Sequence, residues 1–300
     1  MVDLRSLEFF HWVATLQSFS KAARRMNTTQ PAVSQRIAAL EAEMGGPLLE
    51  REPRAVRLTP RGRLLSHYCE RFLDLRSEML AHVMAPEMAS GTVRLGVSET
   101  VGRLWLRQFL ERAHALYPRL VIDLTIDVSP VMLDQLLKGD LDLCLFLRPA
   151  DDARLVSRPL FRAPLRFFAS AGLDVGPEPL GAQELRRFPI ITYPKATSPY
   201  AILERALRRS GEARPRIFAN SSLTTMIQMT LDQIGLCVIP EEVVREELAA
   251  GRLKRVATTL DLPDHVFTAT HTRQACPHIV DDLAELATAI SRRHTRSSLA

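Results

Sequence analysis

The sequence predicts an α/β protein in three parts: a small helical head with a two-stranded wing, one long uninterrupted helix, and a larger region of alternating strands and helices. Three observations carry this. Apolar residues recur at helical spacing through the first 44 positions and then give way to short strand-like pieces around Glu52-Pro53-Arg54. Leu65, Tyr68, Phe72, Leu75 and Met79 fall at spacings of 3, 4, 3 and 4, with no Pro or Gly between Arg63 and Ala85. From Gly91 onward, strand patterns alternate with helix patterns.

A chain of 300 residues has room for two domains, or for a small one and a larger divided one. With 46 % hydrophobic and 24 % charged residues it is not globally disordered. No apolar run of about 18 residues occurs, so no membrane span or membrane partner is expected. MVDLRSLEFFHW lacks a basic segment followed by an apolar one, and a cytoplasmic location is expected. The net charge of +5 says less than its distribution. Lys21, Arg24, Arg25 and Arg36 span a stretch without acids, and Arg51, Arg54, Arg57, Arg61 and Arg63 meet only Glu52. Positive charge gathered near one end suits a phosphate-binding surface, although a pair of solvated basic faces would look alike.

In the head, Leu4, Leu7, Phe10, Val13 and Ala14 mark a helix over about 4–16. Ser20 is a good N-cap for a second helix, Lys21 to Met26, in which Ala22-Ala23 permits close helix approach. Asn27-Thr28 is the turn, Thr29 the cap of a third helix, and Pro31 is tolerated in its first turn. Val33, Ile37, Leu40 and Met44 form the buried stripe of that helix. Gln30, Ser34, Gln35 and Arg36 lie on its other side, where their side chains suit base edges and phosphates of double-stranded DNA. A plain three-helix bundle would also have a polar outer face, so periodicity alone does not separate the two. Leu48–Arg51 and Ala55–Leu58 then read as a wing with Arg54 at its tip, toward the DNA backbone or minor groove.

The segment ending at Gly62 carries, in order, Ser18-Phe19-Ser20-x-Ala22-Ala23, Thr29-Gln-Pro-Ala-Val-Ser34, Ile37-x-x-Leu40-Glu41 and Leu58-Thr59-Pro60-x-Gly62. It resembles the winged helix-turn-helix of LysR-type transcriptional regulators. One departure is Leu48-Leu49, where the family usually has Leu-Phe. The resemblance implies that Gln30, Pro31, Ser34 and Arg36 lie against DNA, and Thr29, Gln35 and Arg54 complete the candidate DNA contacts read from the residues. It also implies a homodimer or tetramer, and contact with RNA polymerase if the protein activates.

Thr59 caps the long helix, with Pro60 at its first position. About 27 residues would extend roughly 40 Å. The seam of Leu65, Tyr68, Phe72, Leu75 and Met79 has coiled-coil spacing, and the resemblance pairs it with a second copy; packing on the chain's own core is the alternative. Residues 86–91 are the expected hinge. The division is then 1–58 for the winged head, 59–88 for the linker and dimerisation helix, and 91–300 for an effector-binding domain.

In that last part, strands are expected over 92–97, 120–126, 142–147, 165–169, 190–193, 216–219, 236–239 and 266–270. Helices are expected over 103–116, 131–138, 201–209, 223–231, 241–249 and 280–290. Strands alternating with helices indicate parallel sheets. LYPRLVIDL, LLKGDLDLCL and IGLCVIP extend the family resemblance more loosely. It implies a periplasmic-binding-protein-like fold of two subdomains, about 91–162 plus 264–300 and 163–263, with a small-molecule effector between them. In such sheets ligands lie beyond the carboxyl ends of strands. Ser98, Thr100, Lys195, Thr197, Ser198, Ser221 and Ser222 occupy such ends and would suit a small carboxylate, with Glu99 facing outward. Helix capping is an equal and compatible role for the hydroxyls.

No G-x-S-x-G, P-loop, G-x-G-x-x-G or H-E-x-x-H pattern is present, which argues against an enzyme. The basic N-terminal stretch and the missing signal pattern argue against a solute receptor without a DNA role. Cys69, Cys144, Cys237 and Cys276 are scattered, and the histidines, His265 and His271 included, have no metal-ligand spacing and read as structural. No cofactor or metal is expected.

Overall fold

The computed structural model describes residues 3–52, 55–83, 90–149, 151–208, 215–273 and 278–297. Helix α1 (Leu4–Leu16) starts where the Asp3 carboxylate accepts the Ser6 amide at 2.6 Å, and stops at Gln17, whose φ of 48° is left-handed. Helix α2 (Phe19–Arg25) starts earlier than the expected Ser20 cap. Ser18 holds the extended backbone that an N-cap needs, and its Oγ accepts the Lys21 amide at 3.3 Å. Helix α3 (Gln30–Glu43) is capped by Thr29, as expected. Phe9, Phe10, Val13, Ala22, Ala23, Val33, Ile37 and Leu40 close one apolar core among these helices.

Strands β1 (Leu49–Glu52) and β2 (Ala55–Leu58) pair antiparallel as the wing. Glu41 fixes the wing's base by accepting the amides of Leu48 and Leu49 at 2.8 and 3.1 Å. Arg54, the expected wing tip, lies outside the described residues. Helix α4 (Pro60–Val83) follows, its first turn capped by Thr59, which accepts the Gly62 amide at 3.0 Å. Gly62 has a steric reason: a Cβ there would stand 2.0 Å from the Leu48 carbonyl oxygen. The expected hinge falls mostly on residues 84–89, outside those described.

The larger part runs β3 (Ser90–Val97), α5 (Glu99–Leu104), α6 (Leu106–Leu116), β4 (Arg119–Ile126), α7 (Ser129–Leu137), β5 (Leu143–Leu147) and β6 (Leu155–Ala163). It continues with β7 (Leu165–Ser170), α8 (Ala182–Leu185), β8 (Ile190–Thr192), α9 (Ser198–Leu207), β9 (Ile217–Ala219) and α10 (Leu223–Leu231). It ends with β10 (Leu236–Pro240), a 3₁₀ turn at Glu241–Val244, α11 (Arg245–Ala249), β11 (Leu253–Val256), β12 (His265–Thr272) and α12 (His278–Ser297). Two five-stranded sheets result, β4-β3-β5-β12-β6 and β11-β7-β10-β8-β9. Each has its own apolar core. The chain crosses from one to the other at Pro164 and returns between Val256 and His265.

The sheets are mixed, not parallel as expected. β3 is parallel to β4 and β5, and β8 to β9 and β10. β12 runs antiparallel to β5 and β6, and β7 antiparallel to β10 and β11, because the crossing strands turn back along the sheets they join. The single helix expected over 103–116 is two, broken at the buried Trp105, whose φ of −153° is not helical.

The head rests on the first half of this region. Arg25 lies over the Trp12 ring at 4.4 Å and reaches the buried Asp142 carboxylate at 2.7 Å. Arg94 holds the same carboxylate through its backbone amide and guanidinium, at 2.9 to 3.1 Å. Burial raises the Asp142 pKa, and the Arg94 contacts oppose it.

Candidate functional site

Two surfaces carry the chemistry. At the N-terminal end of α3, Thr29, Gln30, Pro31 and Gln35 are exposed and Ser34 is half-buried. Val33, Ile37 and Leu40 anchor the opposite side in the core, so the 3.6-residue period alone turns the polar residues outward. Arg36 is the exception. Its guanidinium pairs with Asp3 at 3.3 Å and lies 5.5 Å from the Phe9 ring centroid, so it is held against α1.

Along α4, Leu65 is half-buried against the head's core, whereas Tyr68, Phe72, Leu75 and Met79 are 46 to 60 % exposed. They form an apolar ridge that this chain does not cover. Among the described residues no helix is long and apolar enough to cross a membrane.

The second surface is a cavity of about 240 Å³ between the two sheets. Helix α5 ties the sheets together behind it. The Glu99 carboxylate accepts the Leu223 amide at the start of α10 at 2.6 Å. The Thr100 hydroxyl and the Tyr193 hydroxyl are 3.3 Å apart. Arg103 donates to the Val243 carbonyl at 2.9 Å and to Glu247 at 3.1 Å.

Of the residues expected here, Ser98, Thr100, Thr197 and Ser221 line the cavity. Ser198, Ser222 and Lys195 are not among its walls. Ser222 caps α10 by accepting the Thr225 amide at 3.3 Å. Ser198 is exposed at the start of α9 and Lys195 is exposed before it, so the strand end reaches the cavity only through Thr197 and Pro199. Ser98 also caps α5, and Thr197 donates to the Pro194 carbonyl at 2.7 Å.

Glu99, expected to face outward, lines the cavity instead, drawn across by the free amide at the start of α10. Asp127 and Ser129, at the end of β4, join the wall unexpectedly, although the strand-end argument applies to them equally. Tyr193, His265 and Phe267 are further wall residues that the sequence did not single out for this site. His265 opens β12 and is 5 % exposed, and neither ring nitrogen has a well-aligned hydrogen-bond partner. Burial lowers its pKa against the opposing pull of the Pro263 carbonyl and Asp264, so the ring is held neutral. Burial also pushes the Tyr193 phenol up and keeps it protonated. Among the described residues no lysine or arginine lines the cavity.

Two buried thiols, Cys144 and Cys237, are held protonated. Burial pushes Cys237 up to about 12 and raises Cys144 as well, so neither is the thiolate that redox chemistry needs. Cys276 lies outside the described residues.

Comparison with known proteins gives the chain a family. Residues 4–63 match the bacterial regulatory helix-turn-helix protein model of the lysR family, and residues 86–290 match the LysR substrate binding domain. A regulator from Bordetella bronchiseptica, BbuR, is 26 % identical over 90 % of this chain and 83 % of its own length. The SDS degradation transcriptional activation protein of a Pseudomonas species is 31 % identical over 84 % of each chain. Among solved structures, ArgP of Mycobacterium tuberculosis superposes with a TM-score of 0.64 at 21 % identity, covering 97 % of this chain and 98 % of that one. A full-length OxyR variant of Pseudomonas aeruginosa does so with a TM-score of 0.57 at 22 % identity, over 96 % and 100 %. The chain therefore belongs to the LysR-type transcriptional regulators, DNA-binding proteins with an effector-binding domain and not enzymes.

Proposed function

We propose that the chain recognises operator DNA through the N-terminal end of α3, works as a dimer or dimer of dimers through α4, and changes its engagement with DNA when the cavity is filled. The division of labour follows 1–58, 59–88 and 91–300. Gln30, Ser34 and Gln35 read base edges, Thr29 and Pro31 set the approach of the helix, and Arg36 and Arg54 hold phosphates, Arg36 once released from Asp3. The effector touches Ser98, Thr100, Thr197 and Ser221. Work on chromosomal DNA places the protein in the cytoplasm, and activation would bring contact with RNA polymerase.

One observation carries this reading. The head that presents an exposed polar helix end is joined to a helix whose apolar ridge is bare in the single chain. A second copy laid along that ridge buries it and sets two heads at a fixed spacing, as two half-sites of DNA require. The test is a gel shift of the full-length protein on duplex DNA from beside its own gene, against a scrambled duplex, at rising salt. The reading expects preference for the native duplex and a steep loss of binding with salt. Equal binding to both duplexes would defeat it.

A further inference from the structure

We propose that the cavity between the two sheets takes an organic cation, a primary or substituted ammonium on a small apolar body, and not a carboxylate. This deepens the effector reading above and rests on it. Glu99 and Asp127 stand in the cavity wall and no lysine or arginine stands with them among the described residues. Lys195, the nearest cation in the sequence-based expectation, is outside the wall and exposed. An anion placed here would face two carboxylates, the half-buried Glu99 and the exposed Asp127, and like charges repel.

The hydrogen-bonding pattern agrees. At the start of α10, one of the helix N-termini where a ligand carboxylate could dock, the first amide is already taken by Glu99. Asp127 accepts the Val128 amide with one oxygen at 2.6 Å. A carboxylate has about four lone-pair sites, so each retains acceptor capacity for a further donor. An ammonium has up to three donors and no acceptor, which complements such a wall. His265 lines the cavity with neither ring nitrogen well aligned to a protein partner and does not supply a positive charge, because burial favours its neutral form. For the body of the ligand, Leu147, Leu165 and Phe267 offer apolar wall. Phe267 is stacked on Phe161 at 4.7 Å, so its ring is fixed for contact with an apolar group or with the cation. At about 240 Å³ the space lies near the small end of ligand pockets.

The experiment uses the full-length protein and three probes that share a phenethyl body: 2-phenylethylammonium, 3-phenylpropionate and 2-phenylethanol. Binding is read by titration calorimetry at neutral pH. The ammonium is expected to bind at least about tenfold more tightly than either the carboxylate or the alcohol. In Asp127→Asn that advantage should fall about tenfold while the alcohol binds as before, which separates a lost charge from a lost fold. In Asp127→Lys the preference should turn to the carboxylate. A carboxylate that binds as tightly as the ammonium, an alcohol that equals it, or no binding of any probe at millimolar concentration overturns the proposal. The gel shift separates the two readings. If native DNA is still preferred while the carboxylate is the better ligand, the regulator reading stands and the cation assignment falls. A preference for ammonium without DNA recognition gives the reverse.

Discussion

The end of α3 and the cavity between the sheets both present polar groups, but they are assembled in opposite ways. The first comes from one helix. Val33, Ile37 and Leu40 face the core, and everything on the other side is therefore presented outward. The second comes from segments as far apart as Ser98 and Phe267, joined only when two sheets close on each other. A convex site made from one element declares its chemistry through local period. A concave site made from many declares only the residue types at strand ends, and their mutual orientation is settled by partners far away in the chain. Glu99 illustrates this: its position is fixed by the amide of Leu223, 124 residues later.

The largest expected effect lies between these surfaces, on the helix that joins them. Leu75 is 60 % exposed in the single chain, and the proposed dimer buries it. Leu75→Glu puts an unpaired charge into that seam, which costs several kcal/mol. The mass by light scattering should fall to that of a monomer, and operator affinity should drop on the order of 100-fold, since one head contacts one half-site. A variant that stays dimeric would move the assembly surface elsewhere and leave the α4 ridge unexplained.

The next effect sharpens the comparison by stability. The head has a buried titratable group at its centre: His11 is in the core of α1, and burial lowers its pKa to about 4. In the unfolded chain the imidazole titrates near 6.5. Between those values the unfolded state binds the extra proton, so stability is fully present above pH 6.5 and declines as pH falls toward 4. The loss approaches about 3 kcal/mol at its limit and about 2 kcal/mol by pH 5. It should appear as a falling urea midpoint for the head's transition in the full-length chain. His11→Leu should flatten that part of the profile. An unchanged slope in the variant would mean that His11 is not what couples the head to pH.

The fold was legible in the sequence where local chemistry decides it. Thr29 and Pro31 announced the start of α3, and Ser222 that of α10, whose range of Leu223–Leu231 is the one the spacing predicts. The losses were of two kinds. Strand β6 was hidden by Pro159 and by arginines in LVSRPLFRA. Its proline is tolerated because it sits where the register with β12 shifts, between Phe267 and Thr268, and no regular ladder bond is forfeited there. Strand β11 is four residues at a sheet edge, too short to show a period. In the cavity, the hydroxyls after β3 and β8 and before α10 were found by type, and four of the six reach the wall. The two carboxylates that set its charge were not found, because nothing local to Glu99 or Asp127 tells which way either side chain turns.

The smallest effects concern single contacts, and Thr100→Val is the mildest. It removes the hydroxyl that meets Tyr193 across the cleft and should weaken ligand binding by about 1 kcal/mol. Calorimetry on the full-length variant reads that directly, and undiminished affinity would mean that this hydroxyl bond does not support the site.

DNA recognition and ligand response, on the proposed reading, reside on these two surfaces and can be separated. The direct measurement is operator affinity, with and without 2-phenylethylammonium, for the unaltered protein, Gln30→Ala and Asp127→Asn. Gln30→Ala should cost about 1–3 kcal/mol on the native duplex, by the same amount whether or not ligand is present. Asp127→Asn should remove the change in affinity that the ligand produces. A Gln30→Ala protein that no longer responds to ligand, or an Asp127→Asn protein whose response is intact, would contradict the separation.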